Sequence, residues 1–250
     1  MKQRKASLFS QEINRLLNPE MEHLQFQTKK LDDENTLYFR VINDVAQGLS
    51  FQRCGSGGMC SCDFSFGTIP LCAGIYSLFS FQLHSVSAAE FHQNYMHRSV
   101  VSDFFDSRSE EDIQRYIVNH ISLIKKHAFP YFEETDTVAG YAEKMWPSAV
   151  HGGHKPYDRA LFSALLQCEK YKQAVESLLQ VKRCYRKEQE LYLLEYGHDA
   201  AVAEEEQQRK EELFAEIDDK IARTMARDMD WIRAYLQTNK EGALAMLGLG

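Results

Sequence analysis

The 250-residue chain lacks two patterns that would assign it to a broad functional class. Its longest apolar stretch, Ile69 to Phe81, is interrupted by Pro70, Gly74 and Ser77 and is shorter than the roughly 20 residues that span a bilayer. It also has no excess of positive charge, because 29 Lys and Arg against 36 Asp and Glu give a formal net charge of −7. We therefore expect no membrane span and no nucleic-acid partner, since phosphate binding depends on clustered cations.

Two further absences bear on the compartment and on cysteine chemistry. Met1 to Gln11 have neither the apolar centre nor the small-residue cleavage site of a secretory signal, so the sequence predicts a cytoplasmic protein. The six cysteines do not resemble a disulfide framework, because four crowd between Cys54 and Cys72 while Cys168 and Cys184 fall in helical sequence. We therefore expect reduced thiols.

What the sequence does contain is a change of hydrophobic period within its first third. Apolar residues recur at helical spacing and predict a helix from Ser7 to Leu17, which ends before Asn18-Pro19. From Leu37 to Phe66 the period is two, and turn residues at Asn43-Asp44 and Gly55 to Gly58 predict short connections.

Such short connections require antiparallel pairing, and Leu71 to Phe81 would add another strand. The sequence therefore predicts an α+β fold, in which helices cover a small antiparallel meander sheet of about four strands.

Helical spacing dominates the rest of the chain. One helix is expected from Ser109 to near Ala128, ahead of Pro130, and a short one from Asp136 to about Lys144. A helical hairpin is expected from Leu161 to Tyr185, followed by a long terminal helix from about Ala200 to Leu236. The predicted organisation is an α+β domain over 1–145, a linker over 146–158 and a helical region over 159–250. That region either packs on the first domain or forms its own.

The terminal helix combines a charged face with an apolar one. Three acid–base pairs have the four-residue spacing and polarity that stabilise a helix: Glu205 with Arg209, Glu206 with Lys210, and Glu216 with Lys220. The apolar stripe, from Phe214 to Leu236, is expected to pack inside the chain, and a dimer seam is the alternative.

Two groups of residues are candidate metal ligands. Cys54, Cys60 and Cys62 flank a glycine loop that could bring three thiolates together. Their spacing differs from the Cys-x-x-Cys spacing of a zinc knuckle. His151 and His154 lie three apart on an expected loop, with Asp158 close by. For both groups we favour the alternative without metal, and we expect no cofactor.

Other polar residues have simpler structural interpretations. His120 falls on the apolar stripe of its helix, where a hydrogen-bonded core histidine is expected rather than a general base. The acidic stretch from Asp103 to Asp112 is expected to stabilise the positive end of a helix, and the alternatives are that it coordinates a cation or binds a basic partner. The sequence has neither the Gly-x-Ser-x-Gly motif of a serine hydrolase nor the His-Glu-x-x-His motif of a zinc protease. We therefore assign no catalytic residue.

Part of the chain resembles a bacterial family catalogued as domain of unknown function 4304. The similarity covers about Phe9 to Lys144, and the residues that carry it are Ile13 to Leu17, Leu24, Phe26, Phe39-Arg40, Asn43 to Val45, Leu49 to Arg53, Phe64 to Ile69 and Ile121 to Phe132. The resemblance implies a helix leading into a strand meander, and it carries no catalytic residues. Such domains are similar to those among immunity proteins of bacterial toxin systems, which implies a protein-binding role.

These observations favour a non-enzymatic protein-binding module of bacterial origin, with a protein partner or self-association. Its acidic surface would suit a basic partner. The alternative is a metal-dependent hydrolase that uses the His and Cys residues named above, so the sequence leaves open whether the chain is an enzyme.

Overall fold

The computed structural model describes residues 8–31, 35–54, 59–75, 84–85, 105–151, 158–196 and 200–250. The chain forms two compact units. The first comprises Met1–Ile69 with Tyr76–Asp136, and the second comprises Pro70–Ile75 with Thr137–Gly250. The fold is α+β, as the sequence predicted, with the sheet in the first unit and a helical second unit.

The first unit contains a sheet with the strand order β1-β2-β3-β4-β5. The strands are β1 (Gln27–Lys30), β2 (Asn35–Ile42), β3 (Val45–Cys54), β4 (Met59–Pro70), β5 (His84–Ser85) and β6 (Phe105–Asp106), of which β6 pairs with β4. The pairings of β1 with β2, β2 with β3, and β4 with both β5 and β6 are antiparallel, which confirms the meander.

The turn between β2 and β3 is the one that the sequence predicted. Ile42 pairs with Val45, and both residues between them have positive φ, 48° at Asn43 and 64° at Asp44. This is the two-residue type I′ geometry, which matches the twist of paired strands and which Asn and Asp tolerate. The predicted loop from Gly55 to Gly58 lies outside the described residues.

The N-terminal helix continues through the proline that was expected to end it. It comprises α1 (Leu8–Glu12), a π-helical turn (Ile13–Leu17) and α2 (Asn18–His23). Pro19 is the second residue of α2, in its first turn, where a missing N–H costs little, and the wider π turn precedes it. The prediction of a helix ending at Leu17 was therefore wrong.

A long helix, α3 (Glu110–Glu134), covers the sheet together with the N-terminal helix. Ser109 is its N-cap and accepts a hydrogen bond from the Asp112 N–H. The expected end near Ala128 was wrong, because Pro130 lies inside the helix on its exposed face. There the carbonyl that Pro130 leaves without an N–H partner can face solvent.

The core of this unit lies between α3, the N-terminal helix and one face of the sheet. Phe9 stacks on Phe105 with ring centroids 5.1 Å apart, and Tyr116 contacts Phe105 at 4.6 Å. Buried members of this core also include Ile13, Leu17, Leu49, Phe64, Ile117, Ile124 and Phe132. Burial of these aromatic and aliphatic side chains stabilises the unit.

The second unit contains α4 (Val138–His151), α5 (Asp158–Gln167), α6 (Tyr171–Tyr196), α7 (Ala200–Ala226) and α8 (Met229–Leu247). A short 3-10 helix, Leu71–Ala73, also belongs to it. The predicted strand from Leu71 onward is thus helical over these three buried residues, and residues 76–81 lie outside the described part.

Two boundaries differ from the predicted ones. Helix α4 runs to His151, through exposed Pro147, so residues 146–151 of the predicted linker are helical. The expected single helix from Ala200 to Leu236 is two helices, because Arg227 has a left-handed φ of 52° and Asp228 caps α8 by accepting from the Trp231 N–H. Among the described helices, none is long and apolar enough to cross a membrane.

Candidate functional site

The cysteines that were candidate metal ligands differ in what the structure says of them. Cys60, on β4, is a buried member of the first unit's core and lies opposite Phe105 of β6. Cys54 ends β3 and Cys62 lies within β4, and their side chains are outside the described part. Of the three, Cys60 is therefore placed as a core residue.

The histidine candidates are not brought together in the described residues. His151 is the last residue of α4, Asp158 is the first of α5, and His154 lies outside the described part. Within the described ranges, no three His, Cys, Asp or Glu side chains are grouped to hold a metal ion. Metal binding at these positions stays a prediction.

His120 is a core histidine. It is buried, its Nδ1 lies 2.9 Å from the Tyr116 carbonyl oxygen, and its ring stacks on Phe64 with centroids 4.8 Å apart. Because a carbonyl only accepts, Nδ1 carries the hydrogen. This arrangement fixes the ring in the core.

The described part of the acidic stretch stabilises the start of α3. Asp112 pairs with Arg115, and Asp106 accepts hydrogen bonds from the backbone and side chain of Arg108. That partnership with Arg108 lowers the pKa of the Asp106 carboxyl below its ordinary value. The local pairs support the helix-start interpretation, whereas Asp103 lies outside the described residues.

A hydrogen-bond network, buried at Gln47 and half-buried at Arg40, links the sheet to the ends of two helices. Arg40 donates from Nη1 to the Leu24 carbonyl oxygen at 2.8 Å and from Nε to Gln47 at 2.8 Å. Gln47 in turn donates to the Phe132 carbonyl oxygen at 2.9 Å. Both carbonyls are at helix C-termini, where they have no helical partner. This hydrogen-bond network therefore has a structural role. Burial lowers the pKa of Arg40.

The second unit presents a different kind of surface on the hairpin of α6 and α7. Three contacts define how the two helices lie side by side. Lys182 bonds Asp218 at 2.6 Å, Gln189 donates to Gln207 at 2.8 Å, and the Lys210 ammonium lies 4.4 Å from the Tyr185 ring. The hairpin from Leu161 to Tyr185 was predicted, but this longer pairing of α6 with α7 was not.

Two of the three charge pairs predicted on this surface are present. Lys210 pairs with Glu206 at 3.6 Å and Lys220 pairs with Glu216 at 2.6 Å. Arg209 pairs with Glu206 at 2.9 Å instead of with Glu205, so Glu206 is shared by two cations. Among the described residues, Glu205 has no cationic partner.

The outward side of α6 carries four residues that sequence reasoning missed, and we call them the α6 stripe: Arg183, Lys187, Leu191 and Leu194. Their spacings of four, four and three place them on one helical face. Leu191 is 58% exposed and Leu194 is 84% exposed. Two exposed leucines beside two cations were visible in the sequence, but only the α7 contacts show that they are excluded from the seam.

No protein-family model, curated protein or solved structure matches this chain. The resemblance described above therefore stays a prediction, and the function has to be inferred from the surfaces of the two units.

Proposed function

We propose that the chain is a non-enzymatic protein-binding module, and that it binds its partner through the α6 stripe of the α6–α7 hairpin. The observation that carries the proposal is the exposure of Leu191 and Leu194 on a helix whose inward apolar residues are buried. Leaving two leucines of one face in water is unfavourable, and contact with a partner would remove that cost.

The intramolecular packing of α6 supports the proposal. Ala174, Leu178 and Val181 are buried on the inward face and hold the hairpin in the second unit. The stripe lies on the outward side and takes no part in that packing, so its leucines are not needed for the fold. Of the residues that the sequence offered for chemistry, Cys60 and His120 are buried in the core of the first unit.

The experiment is photo-crosslinking from single positions in the native host. A photoreactive residue at Leu191 should give a discrete covalent adduct with one protein, because the side chain would lie inside the interface. Met225 is the control, since it is an exposed apolar residue on α7 and lies outside the stripe.

The two positions separate specific from random contact. Adducts from position 191 that vanish when Leu194 is changed to Glu, with none from position 225, are the expected result. The same set of weak adducts from both positions would contradict a binding surface at the stripe.

A further inference from the structure

We propose that the partner of the α6 stripe is an acidic amphipathic helix. Its carboxylates would face Arg183 and Lys187, and its apolar side chains would cover Leu191 and Leu194. This inference rests on the proposed function and deepens it, because it states the chemistry of the partner. The net charge of −7 favoured a basic partner for the chain as a whole, whereas the charge of the stripe itself is positive.

The first step is that the stripe faces away from α7. Lys182, Tyr185 and Gln189 contact α7, and at 100° per residue they lie within about 60° of one another around α6. The four stripe residues lie within about 80° of one another, and their centre is roughly opposite that of the three seam residues. A partner can therefore reach all four side chains without displacing α7.

The second step is that charge and apolar character are separated along the stripe. Arg183 and Lys187 occupy its first half, and Leu191 and Leu194 occupy the half nearer the C-terminus of α6. From Arg183 to Leu194 the helix rises about 16 Å, which is about three turns. A partner helix of similar length can present carboxylates and apolar residues at matching intervals, because side chains three and four positions apart share a helical face.

The third step is that the two cations of the stripe are not neutralised within the described part of the chain. Both are exposed, and Lys187 has no ion-pair partner among the described residues. Arg183 donates from Nη1 to the neutral Gln180 side chain at 3.3 Å. Lys182, at the seam, differs because it bonds Asp218 at 2.6 Å. The stripe thus offers two cations to carboxylates from outside.

The acidic residues around the stripe favour a helix over an anionic membrane as its partner. Glu190 borders the stripe, about 60° from Lys187 around α6. Four more exposed carboxylates lie on α7 of the same hairpin: Glu204, Glu205, Glu211 and Glu212. An anionic membrane presents negative charge to all of these groups and is repelled by them. A helix can place its carboxylates only opposite Arg183 and Lys187, and so avoids that repulsion.

The test is selection of binding helices by the full chain. The probe is a displayed library of alanine-based helices of about five turns, in which the residues of one face are randomised. We expect the enriched peptides to carry Asp or Glu at two positions four apart, with apolar residues at the other end of the same face. A synthetic copy of an enriched peptide then gives dissociation constants for the wild type and its variants.

Three single variants locate the peptide on the stripe. Leu191→Glu should weaken binding at least about tenfold, because it places a carboxylate in the apolar contact. Lys187→Glu should weaken binding at least about fivefold, because it turns an attraction into a repulsion. The matched control is Arg233→Glu, at an exposed cation on α8, which changes the net charge equally and should bind as the wild type does.

Exchanging the charges separates binding from folding. A peptide with lysines in place of its two carboxylates should bind the wild type weakly and the Arg183→Glu/Lys187→Glu chain more tightly. The original acidic peptide should show the opposite preference, because like charges then face one another. A folding defect in the double variant could not produce this reversal.

Enrichment of neutral or basic peptides would overturn the inference, and so would binding that Lys187→Glu and Leu191→Glu leave unchanged. Stripe-dependent binding to vesicles of anionic phospholipid, with no acidic peptide enriched, would overturn it in favour of a membrane. Failure of the wider proposal looks different. If position 191 crosslinks one host protein through a segment that is not acidic, only the acidic-helix inference falls, whereas no discrete adduct and no enriched peptide remove both.

Discussion

The Gln47 side chain donates a hydrogen bond of 2.9 Å to the carbonyl oxygen of Phe132, a residue 85 positions later in the chain. Gln47 lies on the central strand β3 and is 1% exposed, and Phe132 lies in the last turn of α3. Because Arg40 supplies a second bond to Gln47, one buried amide joins the sheet to the C-terminus of the covering helix.

We predict that Gln47→Ala destabilises the chain by about 2–3 kcal/mol. The substitution leaves the buried Phe132 carbonyl without its partner and removes one partner of the half-buried Arg40 guanidinium. An unsatisfied buried polar group costs about 1–3 kcal/mol. Urea unfolding followed by circular dichroism measures the change.

The matched control is Gln114→Ala, at a Gln on α3 whose side chain bonds only Glu110 at an exposed site. That change should stay within about 0.5 kcal/mol of the wild type. If both variants unfold at the same urea concentration, the hydrogen bonds of Gln47 do not hold the helix on the sheet.

Tyr38 should make the first unit sensitive to alkali. Its hydroxyl donates to Asn18 Oδ1 at 2.5 Å, and burial raises the pKa of the phenol well above its ordinary value. The unfolded phenol releases its proton above about pH 10 while the native one keeps it, so the unfolded state binds fewer protons there. The stability that depends on the phenol is therefore fully present below about pH 10 and falls as the pH rises further.

The measurement is the free energy of unfolding of the wild type and Tyr38→Phe from about pH 8 to pH 11, a range that spans the ordinary pKa of the phenol. The wild type should lose stability above about pH 10 by up to about 1.4 kcal/mol per pH unit more steeply than the variant. Parallel curves would show that the Tyr38 phenol titrates equally in both states.

Glu169 should be replaceable by glycine with a gain in stability. It has a left-handed φ of 57° after α5, and Lys170 N–H donates to the Leu165 carbonyl at 2.9 Å, which is a Schellman ending. Glycine adopts this φ without strain, so Glu169→Gly should raise the unfolding free energy by about 0.5 kcal/mol.

The control for this substitution is Glu176→Gly on the exposed side of α6. Glycine inside a helix costs about 1 kcal/mol, so the two variants should shift the melting temperature in opposite directions. A fall in melting temperature for both would mean that the Glu169 side chain contributes more than its backbone strain costs.

Cys60 should be protected from thiol reagents in the native protein. It is 2% exposed in the first unit's core, whereas Cys184 on α6 is half-buried. Peptide mapping after reagent pulses should find Cys60 labelled at least about a thousandfold more slowly than in the unfolded chain. Fast labelling of Cys60 in the native state would place it outside the core.

The parts of the fold that were predictable are those where local pattern and tertiary packing agree. The alternation around Leu49 and the Asn43-Asp44 turn specify the β2–β3 hairpin, and Ser109 with its acidic neighbours marks the start of α3. Strand β1 was missed because Gln27–Lys30 has no apolar alternation and is mostly exposed. Its pairing with β2 comes from backbone hydrogen bonds that side-chain pattern does not report.

Helix ends were mispredicted where backbone geometry depends on its surroundings. Pro130 and Pro147 remain inside helices because each lies on an exposed face. Arg227 ends α7 although arginine gives no stop signal, and the available clue was Asp228, three residues before Trp231, as the N-cap of a new helix. The candidate site was missed for a similar reason, because exposure of Leu191 depends on which face of α6 meets α7.

The most direct test of the central claim separates folding from binding at the α6 stripe. The measurement is the melting temperature of Leu191→Glu/Leu194→Glu together with the proteins, including untagged copies of the chain itself, that co-purify with it from the host. We predict an unchanged melting temperature, because exposed leucines contribute little to the fold, and loss of every stoichiometric partner held by the wild type. A full set of partners on a stably folded double variant would contradict the account.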